Sequence, residues 1–295
     1  VTLAEIHVAD HPITKTLVGF ANEVEEKTQG RINVDVRPAE RYGTENTVAS
    51  KVYGGVVDIA RVSSVTLSRY SSNITPITLP YIFESKEHMW RFIDSPYGQE
   101  LFDGIDGCEP LAWIDDGVHS ICSDTPINTV EDLANKRFRI SNSPSVRLLL
   151  QEYGASPITM DYSKIFENIE KGNINGAETD IVSYKYYANN VVAKYFIDCR
   201  LSYAPSVLIA SNTLEEKVGQ EDYKIILECA ENAWEKSKQL RSESEEAVKK
   251  ELADSGTQII TPSEEVISQL KATAENIYSE YPEYKDVIDS IKSCK

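Results

Sequence analysis

The segment Leu133-Ala-Asn-Lys-Arg-Phe-Arg-Ile-Ser-Asn142 sets two guanidinium groups, Arg137 and Arg139, two residues apart just ahead of a Ser/Asn/Pro loop. In an extended strand that spacing puts both on one side, and open α/β sheets bind ligands in the loops at strand C-terminal ends. An arginine so placed can clamp a carboxylate with two parallel, charge-assisted hydrogen bonds. A solvated basic strand edge fits the same residues, and chemistry alone leaves both readings open. The other reactive residue types form no recognisable catalytic set. His7, His11, His88 and His119 show no HExxH spacing, and there is no GxSxG elbow, GxGxxG turn or GxxxxGK phosphate loop. Because triads assemble in space rather than in sequence, an α/β enzyme with dispersed catalytic residues stays in play as a competing reading. Cys108, Cys122, Cys199, Cys229 and Cys294 are odd in number, far apart and without a CxxC. They indicate neither zinc nor a complete disulfide framework, at most one or two bridges, and no metal or cofactor is expected.

The elements that would carry these residues alternate. Ile13, Leu17, Ala21 and Val24 recur at helical spacing, and Ile32, Val34 and Val36 then alternate with polar neighbours as in a half-buried strand. A turn at Gly43, a helical pattern at Val48 and Val52, a stop at Gly54-Gly55 and the apolar run from Val56 to Ala60 follow. A second α/β block has strands at Val118–Cys122, Arg137–Ile140 and Ile174–Glu178, with helices at about Pro144–Tyr153 and Ser163–Lys171. From Asp222 to about Asp254 there is no proline, and Glu245/Lys249 and Glu246/Lys250 pair at i,i+4, which predicts one long solvated helix. At about 45 Å for some 30 residues it is long enough to run across two lobes. The chain is therefore expected to be an α/β protein of two lobes: 1–116 plus 207–245, and 117–206 plus 246–295.

The 295 residues suffice for two ordinary cores, and 41% hydrophobic with 26% charged residues is a normal globular composition. Acidic residues outnumber basic ones 47 to 30, for a formal charge of -17, which repels phosphate backbones and makes nucleic acid an unexpected partner. No stretch approaches the roughly 20 apolar residues of a membrane-spanning helix. Val1 opens directly into an apolar segment, as after removal of a leader from an exported protein.

Several motifs, in order, resemble the solute-binding subunits of tripartite ATP-independent periplasmic (TRAP) transporters. They are Phe20-Ala-Asn-Glu-Val, Thr28-Gln-Gly-Arg-Ile32, Gly43-Thr-Glu45, Gly55-Val-Val-Asp58, Leu79-Pro-Tyr-Ile-Phe83 and Pro126-Ile-Asn-Thr-Val-Glu-Asp-Leu133. Lys136-Arg-Phe-Arg-Ile140, Gly154-Ala-Ser-Pro157, Asn175-Gly-Ala-Glu178 and Val192-Ala-Lys-Tyr195 continue the series. The resemblance implies a periplasmic-binding-protein-like fold with a ligand cleft between the lobes and the long helix spanning both. It implies no enzyme and no cofactor, but an extracytoplasmic protein, periplasmic or lipid-anchored, that acts as a monomer. Its partners would be a small organic acid and the TRAP membrane permease subunits.

By the same resemblance, Arg139 stands where the family arginine grips the ligand carboxylate, Asn142 follows it, and Thr179 comes after Glu178. Family contacts also fall on Glu45, Ser63, Thr66 and Tyr162. Two departures stand out. Gly117-Val-His119 replaces a GxR element, so His119 takes the place of a second arginine and is expected to bind the anion when protonated. Glu178-Thr179-Asp180 replaces a Glu-Asn pair and sets an extra acid beside it. Ala4-Glu-Ile-His7 through His11-Pro12, Ala60-Arg-Val-Ser63 and the Pro80–His88 segment are most similar to members that bind hexuronates, which would bring His7 to the ligand and leave His11 and His88 on the surface. A C4-dicarboxylate, sialate or other small organic anion is the alternative ligand.

Overall fold

Pro12–Lys27 forms the helix its apolar spacing predicts, burying Ile13, Leu17, Phe20, Ala21 and Val24. Pro12 sits in the first turn, where its missing N–H leaves no bond unmade. The computed structural model describes residues 1–294. Its strands are β1 (Thr2–Ala4), β2 (Asp35–Arg37), β3 (Ile59–Ser63), β4 (Cys108–Ile114), β5 (His119–Ser123), β6 (Arg137–Ile140), β7 (Ser156–Thr159), β8 (Gly176–Asp180), β9 (Tyr195–Ser202), β10 (Ser206–Ser211) and β11 (Gln258–Ile260). The expected strand over residues 32–36 shrinks to β2, and the apolar run from Val56 becomes strand only at Ile59, after a turn in which Gly55 takes φ +70. No helix among the described residues is long and apolar enough to cross a membrane.

The chain divides into two units. The first comprises Val1–Ile74, Gly98–Asp116 and Pro205–Ser244; the second comprises Thr75–Tyr97, Gly117–Ala204 and Glu245–Lys295. The first unit holds a five-stranded sheet in the order β2-β1-β3-β10-β4. Strand β1 runs parallel to β2 and β3, whereas β10 is antiparallel to β3 and β4. Its core packs Leu17, Phe20 and Val24 with Leu3, Ile59, Ile114 and Leu208 of the sheet and with Ile226, Cys229 and Ala233.

The second unit holds a six-stranded sheet in the order β11-β9-β5-β8-β6-β7. Strand β6 lies parallel to β7 and β8, and β5 is antiparallel to β8 and β9. Ile165, Ile169, Val182, Tyr184, Phe196 and Leu252 belong to its core. Gly176 is required where β8 meets β5, because a Cβ there would lie 1.9 Å from the Cys122 carbonyl oxygen.

Thr75–Tyr97 corrects the expected boundaries, in which it belonged to the first lobe. It is bound into the second unit by hydrogen bonds: Tyr278 donates to the Pro80 carbonyl at 2.6 Å, Tyr81 N–H to the Leu201 carbonyl at 2.9 Å, and Lys86 to Glu245 at 2.7 Å. Pro205 and Ser206 likewise join the first unit, and Glu245 the second. The long helix, Gln220–Asp254, is 35 residues long and contributes to both units. All five cysteines are free thiols, and all but Cys294 are buried.

Candidate functional site

The candidate residues fall into two groups, one in each unit. In the second unit, β6 and β8 run side by side, with Arg139 paired to Ala177. This places Arg139 beside Glu178. Arg139 is 6% exposed, and its guanidinium is tethered by Nε to the Met160 carbonyl at 2.9 Å and by Nη1 to the Glu178 carbonyl at 3.2 Å. Its flat face lies over the Tyr162 ring, 5.0 Å from the centroid, a favourable cation–π placement. Nη1 also lies 3.9 Å from a carboxylate oxygen of Glu178. Nη2 makes no hydrogen bond with the described residues, so the end of the fork formed by Nη1 and Nη2 is the part open to an anion. Arg137, on the same pleat side, is exposed and caps the Gly172 carbonyl.

Glu178 is buried and fully engaged. One oxygen accepts Ser141 N–H and Ser141 hydroxyl, each at 3.0 Å; the other bonds His119 Nδ1. Burial pushes its carboxyl up, but the charge and hydrogen bond of His119, the charge of Arg139 and the Ser141 amide outweigh it and bring the pKa down to about 2. His119 thus has Glu178 as its partner inside the protein, a contact the sequence reading did not include. The Tyr162 hydroxyl donates to Thr179, which in turn donates to the Asp180 carbonyl at 3.1 Å. Asp180, the extra acid in this stretch, caps the helix Ile181–Tyr186 by accepting from Val182 and Ser183 N–H at 2.9 Å. Asn142 lies exposed in the loop after β6.

In the first unit the helix Glu45–Tyr53 begins next to the end of β3. Glu45 gathers Ser63 N–H at 2.9 Å, Ser63 hydroxyl at 2.8 Å and Thr66 hydroxyl at 2.6 Å. The hydroxyl protons of Ser63 and Thr66 are therefore committed to Glu45. His7 is buried, and its Nδ1 bonds Glu5 at 2.6 Å while its ring stacks on His11 at 4.1 Å between centroids. Burial pushes the Glu5 carboxyl up, but Arg61 and His7 pull it well below the usual range.

His11 and His88, expected on the surface, are buried at 0% and 2% exposure. A neutral imidazole can be buried when both nitrogens are satisfied. His88 accepts Glu84 N–H at Nδ1 and donates from Nε2 to the Ile291 carbonyl at 2.8 Å, and His11 caps its helix by accepting Ile13 N–H. Sequence reasoning passed over Glu5, Arg61, Asp116 and Ser141. The signal for Arg61 was a guanidinium inside the apolar run Ile59–Val62, which needs a buried partner. An apolar cavity lined by Ile121, Leu149, Ile197, Leu201, Val266 and Leu270 in the second unit holds none of the candidate residues. No cluster able to hold a metal ion occurs among the described residues.

The family model for bacterial extracellular solute-binding protein, family 7, matches residues 3–284. A TRAP periplasmic solute binding protein from Xanthobacter autotrophicus Py2, crystallised with bound beta-D-galacturonate, is 27% identical with a TM-score of 0.94, covering 100% of this chain and 99% of that one. One from Pseudomonas putida F1, with bound D-glucuronate, is 25% identical with a TM-score of 0.93, covering 99% and 96%. A solute-binding protein of Chromohalobacter salexigens is 26% identical over 98% of this chain and 88% of its own length. With the family model spanning nearly its whole length, this chain belongs to the bacterial extracellular solute-binding protein family 7, as a TRAP-type solute-binding protein.

Proposed function

We propose that this chain captures a hexuronate, such as glucuronate or galacturonate, outside the cytoplasmic membrane and passes it to the permease subunits of a TRAP transporter. The observation that most supports this is a single tethered guanidinium, Arg139, in a chain whose similar solved relatives hold galacturonate and glucuronate. A uronate offers one carboxylate and several hydroxyls. A compact dicarboxylate calls for a second fixed cation, and His119, where a second arginine was expected, is already bonded to Glu178. In this reading Arg139 grips the carboxylate through Nη1 and Nη2. His119, Glu178, Asn142, Thr179 and Tyr162 form the rest of the second unit's share, and His7, Glu45, Ser63 and Thr66 supply the first unit's share, with Glu45 taking ligand hydroxyls. The protein works as a monomer, and capture closes the two units on the ligand about the segments where the chain passes between them.

Calorimetry with D-glucuronate, D-galacturonate, succinate and sialic acid tests the reading. Both uronates should bind. Because a lost hydrogen bond to a charged group costs roughly 1.5–3 kcal/mol, Arg139→Lys should weaken binding at least about tenfold while the fold stays intact. Wild-type affinity in that variant removes Arg139 from the site. Binding of succinate or sialic acid with no uronate binding overturns the uronate assignment.

A further inference from the structure

Arg61 lies on β3, the middle strand of the first unit's sheet, 1% exposed, and its guanidinium meets three carboxylates. Glu5 takes one edge of the fork in two bonds, from Nε at 3.1 Å and from Nη2 at 3.0 Å. Nη1 then reaches two acids at once, Glu45 at 3.3 Å and Asp116 at 3.4 Å. Replacing a buried ion-pair cluster by packed apolar side chains is often neutral or stabilising, so stability alone does not call for an arginine with three acids.

Its two outer partners differ in kind. Glu45 is the candidate ligand contact that carries Ser63 and Thr66. Asp116 is the last residue of the first unit before the chain enters the second. Within the first unit that end of chain is pinned to the long helix: the Asp116 carbonyl accepts from Arg241 Nη2 at 3.1 Å, and Asp115 N–H donates to Ser237 hydroxyl at 2.9 Å. Gly117 follows with φ +81, a conformation that suits glycine. Nη1 shares its protons between Glu45 and Asp116, so drawing Glu45 toward a ligand hydroxyl changes what remains for Asp116.

We infer that Arg61 is a positioning residue that couples the ligand-contact carboxylate Glu45 to Asp116, at the start of a crossover between the units. What binds at Glu45 is thereby felt at the segment through which the chain leaves the first unit. The inference rests on the proposed function for the role of Glu45 as a ligand contact and for the choice of D-glucuronate as the probe, whereas the exchange measurement on the ligand-free protein needs neither.

The test is a cycle of Arg61→Lys, Glu45→Gln and the double variant. Hydrogen exchange of the ligand-free protein is followed at Asp115–Gly117, and affinity is measured with D-glucuronate. Glu45→Gln should change exchange at Asp115–Gly117 roughly threefold or more in the wild-type background and not in the Arg61→Lys background, as a coupled pair behaves. Arg61→Lys should weaken glucuronate binding roughly tenfold alone and less than additively once Glu45 is Gln, the remainder passing through His7, whose Nδ1 lies 3.0 Å from Arg61 Nη2. A merely structural Arg61 gives the opposite pattern: additive losses, and no effect of Glu45→Gln at Asp115–Gly117. Either result overturns the coupling. Should Arg61→Lys fail to fold, Asp116→Asn replaces it in the cycle, cutting the charge at the crossover end alone. If the wild-type protein binds neither uronate, the ligand assignment falls, and the exchange cycle still decides the role of Arg61.

Discussion

Glu178 keeps its charge in the protein interior because three neighbours outweigh its burial. Its pKa falls from the ordinary 4.5 to about 2, with burial opposing and His119, Arg139 and the Ser141 amide prevailing. A carboxyl whose folded-state pKa is depressed gives stability that is fully present above its unfolded value and is lost as pH falls through the folded one. The window here runs from about pH 4.5 down to about 2. For a buried group such a shift corresponds to ~3 kcal/mol. Urea unfolding at stepped pH should therefore show the wild type losing ~3 kcal/mol more than Glu178→Gln across that window. Parallel curves would show that Glu178 ionisation is not linked to folding. The sequence offered Arg139 and Glu178 as candidates, both through family motifs, and the strand-to-loop position of Arg139 left a solvated strand edge equally open. Arg61 with Asp116 and Glu5 was not legible, because partners 55 and 56 residues apart leave no periodic trace. His88 was misread for a related reason: its place on the helix Lys86–Ile93 beside Met89 and Phe92 marks a buried face, while its residue type suggested solvent.

Strand β8 carries Glu178 and Thr179, and its register against β5 rests on Gly176. Adding one methyl group there meets a backbone oxygen rather than a flexible side chain, so the two strands must part. Overpacking of this kind costs roughly 1–3 kcal/mol, more where backbone has to move. Gly176→Ala should lower the urea midpoint accordingly and also weaken ligand binding, since Glu178 shifts with the strand. An unchanged midpoint would mean that the sheet absorbs the methyl group without strain. At this scale the sequence was most readable where one period ran long. The helix Pro12–Lys27 and the long helix Gln220–Asp254 follow from their spacing, and β6 falls on Arg137–Ile140 as predicted. Short strands were harder: β2 pairs only Asp35, Val36 and Arg37 with β1, so Ile32 and Val34 of the alternation lie outside any ladder.

In the whole molecule, both units are assembled from stretches distant in sequence, and the chain crosses between them after Ile74, Tyr97, Asp116, Ala204 and Ser244. The closure proposed above should shrink the particle. Small-angle scattering should show a smaller radius of gyration with saturating D-glucuronate, whereas an unchanged radius despite calorimetric binding would count against closure. Thr75–Tyr97 escaped the sequence reading because its ties to the second unit come from far along the chain, as in the His88–Ile291 bond across 203 residues. The thiols carry a practical consequence at the same scale. Burial pushes Cys122 and Cys199 up to about 12 and Cys229 to about 11, and it raises Cys108 as well. A thiol held protonated and out of solvent reacts slowly with electrophiles. Cys294, half-exposed just past the helix Lys285–Ser293, is left as the accessible native thiol, so a maleimide dye should attach to the second unit without any engineered cysteine.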